Sequence, residues 1–113
     1  MKKYTFRSFV ENRMQFANNN PMSSIATSIG ELIDWTKRQR DQYNQSNLET
    51  FQNHFILPLG RNMDPDLVVQ GAVKLKQLAD AADSSNQKDL NLINGLYKAA
   101  NDMQKLANAK PPR

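Results

Sequence analysis

Apolar residues recur along this chain at spacings of three and four, and nowhere alternate over a useful length. The first spacing marks one face of a helix and the second would mark a strand, so the pattern predicts an all-α protein. Five segments carry it. The first spans 5–18, with Phe6, Phe9, Val10, Met14 and Ala17 on one face, and "NNNP" stops it. The second spans 21–44, with Asn20 as cap and Pro21 as first residue. Ile25, Ile29, Leu32, Ile33, Thr36 and Tyr43 form its stripe, with Trp35 at the edge. Asp34 with Arg38, and Lys37 with Asp41, are spaced to pair across one turn of its polar face.

The third segment spans 47–58. Ser46 and Glu49 fit a capping box, Leu48, Phe51, Phe55 and Leu59 form the stripe, and Pro58 with Gly60 should end it. The fourth spans 65–83, behind "DPD": Asp64 caps, Pro65 suits the first position and Asp66 complements the helix dipole. The fifth spans 87–108, with Ser84 and Gln87 as a second capping box and Ile93, Leu96, Tyr97, Ala100, Met103 and Ala107 on its apolar side. The short connection makes the last two segments an antiparallel hairpin. The expectation is a single-domain bundle of four to five helices over 1–109, with 110–113 a frayed tail.

Two places break the one-stripe rule for a small bundle. In the fourth segment Leu67, Val68, Leu75, Leu78, Ala79 and Ala82 fill one arc, while Val69 and Val73 make a second ridge. That ridge is either covered by the first segment or offered to a partner. In the first segment Arg13 sits among Phe6, Phe9, Val10 and Ala17, where it must snorkel, pair, or face something outside the chain. Phe6, Phe9, Val10, Arg13, Val69 and Val73 are therefore the candidate protein contacts, for another protein or for self-association. The first segment has the form of an amphipathic helix that docks in a groove.

Charge adds a rival. The net charge is +4, and Lys2, Lys3 and Arg7 concentrate part of it near the N-terminus. "WTKRQRDQYNQ" interleaves Lys37, Arg38 and Arg40 with aromatic and amide side chains. These six cations could serve a nucleic-acid-binding module. A helix-turn-helix around "NQSN" is disfavoured, because the third segment has no lysine or arginine to act as a recognition helix.

Chemistry of other kinds is poorly supplied. Without cysteine there is no thiolate, disulfide or thiol redox site. His54 lies beside Phe51 and Phe55 with no second histidine at ligand spacing, and Val68 stands where a calcium loop following Asp64 and Asp66 needs another oxygen. Gly30, Gly60, Gly71 and Gly95 are too scattered to cradle a phosphate. No catalytic residue, metal, cofactor or small-molecule substrate is expected. "MKKYTFRSFVENRM" has no apolar run behind its lysines, so no signal peptide is expected and the protein is read as soluble and cytoplasmic, with no membrane partner. The stretch "YTFRSFVE" resembles the opening of small accessory proteins of tailed phages over under a tenth of the chain, and no residue role is carried over from it. The functional expectation is a non-enzymatic interaction protein: an adaptor, a small regulator or a subunit of an assembly.

Overall fold

A computed structural model of the chain describes residues 22–108. The segment 5–18, the cap Asn20 with Pro21, the candidate residues Lys2, Lys3, Phe6, Arg7, Phe9, Val10 and Arg13, and the tail 110–113 lie outside them. The described residues are 86% helical and contain no strand. The helices are α1 (Ser23–Arg38), α2 (Gln42–Phe51), α3 (Leu57–Arg61), α4 (Pro65–Ser84) and α5 (Leu90–Asn108). A π-helical turn, Gln52–Ile56, joins α2 to α3, so the described chain makes four rods rather than five.

Contacts between side chains fix how the rods run. Tyr97 donates a hydrogen bond to Asp80, and Gly71 of α4 faces Met103 of α5, so α4 and α5 are antiparallel, as the short connection implies. Leu32 of α1 lies against Gly95, and Trp35 reaches Asp89, so α1 also runs antiparallel to α5. A Cβ at Gly95 would come within 2.5 Å of Leu32 Cδ2, so its absence lets the Leu32 side chain lie directly against α5. α1 and α4 therefore point the same way on either side of α5.

The core follows the apolar stripes. Ile25, Ile29, Leu32 and Ile33 of α1 meet Leu92, Ile93, Leu96 and Met103 of α5 and Val68, Leu75 and Ala79 of α4 in one buried cluster. Leu48, Phe51, Ile56 and Leu59 close it from the α2–α3 rod. Thr36 is buried too, and its hydroxyl is satisfied by donating to Ile33 O at 2.8 Å. Tyr97 on the hairpin's flank is pushed up to about 12 by its hydrogen bond to the Asp80 carboxylate, helped by burial and by the charges of Asp80 and Asp83.

Four boundaries differ from the sequence expectation. The second segment does not run to 44; it breaks after Arg38. Arg40 adopts the left-handed conformation (φ 57°), its N–H donates to Lys37 O, and Asp41 N–H reaches back to Thr36 O. This pair of bonds is the Schellman ending, in which the residue just past the cap is usually glycine. Here an arginine fills it. The next helix then starts at Gln42, not 47, because the Asp41 side chain accepts from Asn44 N–H and caps it. Ser46 and Glu49 fall inside that helix, and Glu49 accepts instead from Gln45 Nε2 at 3.3 Å. The pairs Asp34–Arg38 and Lys37–Asp41 do not form; the Asp41 carboxylate is taken by Asn44. Tyr43 consequently leaves the buried stripe and stands 72% exposed.

Pro58 does not stop the rod either. Proline lacks an N–H and its ring collides with the carbonyl four residues back, here that of His54. The backbone answers by widening one turn earlier, where Leu57 N–H donates five residues back to Gln52 O. Such a π turn accommodates the extra bulk and lets the helix continue to Arg61. His54 is exposed on this turn. Finally, the fifth helix begins at Leu90 rather than 87, capped by Asp89 in place of Ser84 and Gln87: Asp89 Oδ1 accepts from Leu92 N–H at 3.2 Å. The cap Asp64 is where it was expected, accepting from Asp66 N–H at 3.0 Å.

Candidate functional site

The end of the bundle where α1 stops and α5 starts is open. The α1–α2 turn and the α4–α5 loop face each other there across a cleft of about 1040 Å³. Its floor is the half-buried Trp35, whose indole N–H donates to Asp89 Oδ2 at 2.7 Å. Asp89 thus does two jobs, capping α5 with one oxygen and anchoring Trp35 with the other. Tyr43 on one wall and Leu90 on the other are among the most exposed large hydrophobics, at 72% and 65%. Arg40 reaches the lining because the left-handed turn carries it outward from the end of α1. Amide side chains from Gln39, Gln42, Asn44, Asn86 and Gln87 complete the rim.

The charges of this cleft are unequally engaged. Asp41 accepts from Asn44 through both its oxygens, from the backbone N–H at 3.1 Å and from Nδ2 at 2.6 Å. Asp89 is held by Trp35 and Leu92. Lys88 leans on Asp83 at 3.6 Å. Lys37, Arg38 and Arg40 are exposed and meet no carboxylate among the described residues. The carboxylates are engaged by N–H donors, and the three cations are left for solvent or a ligand.

The second surface lies on α4. Val69 and Val73, one turn apart, are 42% and 49% exposed, whereas Val68, Ala72 and Leu75 beside them are buried. The sequence ridge is therefore a separate face of α4, not part of the packed arc. Since α1 and α4 run the same way, Val69 lies at the end of the bundle where α1 begins, and residues 1–21 join the described fold at that end. The cleft lies at the other end of α4. From Val69 to Ser84 the helix rises about 22 Å.

Of the sequence candidates, the structure places Arg40 in the lining of the cleft, Lys37 and Arg38 in the last turn of α1 just before it, and Val69 with Val73 on α4; it does not bring the two sets together. Tyr43, Trp35 and Asp89 were not among the candidates. The signal for Asp89 was present, an aspartate just before an apolar run. Among the described residues, no group of three His, Cys, Asp or Glu could hold a metal ion, and no helix is long and apolar enough to cross a membrane. Compared with known protein families, curated proteins and solved structures, the chain matches none. Its function is read from these two surfaces alone.

Proposed function

We propose that the protein is a non-enzymatic interaction module of the cytoplasm, an adaptor or a subunit of an assembly, which meets its protein partner through α4. The observation that carries this reading is the Val69–Val73 ridge: two β-branched apolar side chains, adjacent on one face, left exposed while Val68 and Ala72, the residues just before them, enter the core. Adjacent apolar side chains left in solvent and rimmed by polar residues mark a contact surface when they form a contiguous patch. Its position adds support, because the chain enters the described fold at Met22, at the same end of the bundle as Val69. The cysteine-free composition fits a reducing compartment. The described residues offer no grouped nucleophile, base and orienting partner of the kind acyl or phosphoryl transfer needs.

Self-association is the first case to examine, by sedimentation across a concentration series. Val73→Asp and Phe9→Asp should each weaken the assembly roughly 10-fold or more while leaving helical circular dichroism unchanged, because each places a charge where apolar surface is to be covered. Unfolding of both variants would make the two faces core and end the reading.

A further inference from the structure

The cleft at the opposite end combines three features that a protein-contact ridge does not require. It has an exposed aromatic ring, Tyr43, standing clear of the core. It has cations with no carboxylate partner among the described residues: Arg40 in the lining, and Lys37 and Arg38 in the last turn of α1 beside it. Its rim carries primary amides, each offering both a donor and an acceptor. The two carboxylates of the cleft have oxygens occupied by N–H groups of the protein, whereas Arg40, Lys37 and Arg38 keep their donors free of any carboxylate among the described residues.

An aromatic face beside phosphate-seeking cations is the arrangement that binds unpaired nucleotides. Bases stack on the ring, the backbone follows the cations, and amides meet base edges. A duplex fits this chemistry poorly, since its base faces are already covered by one another. α2, the helix that follows the turn, has neither lysine nor arginine, so no basic recognition helix is available for a major groove. We propose that the cleft between the α1–α2 turn and the α4–α5 loop binds a short run of single-stranded nucleic acid, with Tyr43 as the stacking surface and Arg40, Lys37 and Arg38 as the phosphate contacts. This site goes beyond the α4 contact and does not depend on it.

The backbone shape of the α1–α2 turn serves the site. Lys37 and Arg38 stand exposed in the last turn of α1, and the left-handed residue at 40 adds a third cation to the lining that Tyr43 shares. Glycine would fit that position with less steric cost, so the arginine there is a side chain retained against local backbone preference.

The test uses the full chain and its single tryptophan, Trp35, which lines the cleft. Trp35 emission and the anisotropy of a labelled oligothymidylate are followed together through a titration at low salt, then across a salt series. Saturable binding that changes Trp35 emission is expected, with affinity falling log-linearly in salt at a slope of about 2, as three phosphate contacts on a single strand give. Tyr43→Ala should weaken binding about 10-fold or more. Arg40→Gly should weaken it and lower the slope by about one contact, while the thermal midpoint holds or rises because glycine suits the left-handed position. Tyr43 is exposed, so its variant keeps the fold. The proposal is overturned by absence of binding at low salt. It is also overturned if a duplex of the same length binds as tightly and Tyr43→Ala has no effect, which would mean diffuse charge attraction. If the triple variant Lys2→Glu, Lys3→Glu, Arg7→Glu abolishes binding while Arg40→Gly and Tyr43→Ala do not, the N-terminal cations are the site and the cleft is not. If polyglutamate competes at equal affinity and binds independently of Tyr43, the occupant is an acidic polypeptide instead.

Discussion

Phe51→Ala is expected to destabilise the protein by about 3–5 kcal/mol, the usual range for removing a buried aromatic ring. Phe51 is 1% exposed and is the largest of the fully buried side chains. Its ring stacks on Phe55 with centroids 5.0 Å apart and planes at 25°. It also sits at the last α-helical position before the π turn, so the cavity would open where the helix has already widened. Phe55, the ring beside it, is itself packed close to Gly71 of α4 and has little freedom to collapse into the space. Against a typical total of about 5–15 kcal/mol for a domain, this is a large fraction. Urea denaturation followed by circular dichroism reads it directly, with Val69→Ala as an exposed comparison expected within about 0.5 kcal/mol of the parent. A loss below about 1 kcal/mol for Phe51→Ala would contradict the packing described for the α2–α3 rod.

Asp89→Ala should also have a large effect, about 1.5–3 kcal/mol, for two separable reasons. The α5 cap is lost, which costs about 0.5–2 kcal/mol. The Trp35 indole N–H, half-buried, also loses its acceptor, at about 1 kcal/mol where water compensates in part. Asp89→Asn separates the two. An asparagine has one oxygen, so it can accept from Leu92 N–H or from the indole but cannot serve both in the observed arrangement. Its stability should fall between parent and alanine variant. Trp35 emission should shift in Asp89→Ala, because the indole no longer has a carboxylate beside its N–H. Equal stability of parent and alanine variant would mean that Asp89 ties neither α5 nor α1.

The long helices were legible because their stripes are strong. α4 begins where Asp64 and Pro65 say it should, and its buried arc matches the residues read from spacing, with Leu67 and Leu78 at the half-buried edge. The α1–α2 break was not legible, for a stated reason. Schellman endings announce themselves by glycine, and this one carries Arg40; without that marker the periodicity of α1 runs on smoothly through Tyr43. The same miss hid the cleft, since it left Tyr43 assigned to the core. Pro58 misled in the opposite sense. A proline ordinarily ends a helix, and only the compensating π turn keeps this one going. At the start of α5, two residues with capping-box spacing drew attention from Asp89, whose second bond, to Trp35, joins residues 54 positions apart and has no local signature.

The connection between α4 and α5 has a consequence for how the chain reaches its shape. Only Ser85–Asp89 separates a 20-residue helix from a 19-residue one. Bringing their near ends together restricts few residues, so the loop-closure entropy is small, and each further turn of contact then forms next to one already made. α1 has no such shortcut: its partners on α5 lie more than 50 residues away, as Trp35 and Asp89 do. The hairpin is thus the natural nucleus, on which α1 and the α2–α3 rod condense afterwards. Substitutions such as Leu75→Ala in the hairpin should slow refolding, whereas Ile29→Ala in α1 should mainly speed unfolding, a division that paired chevron plots would expose or refute.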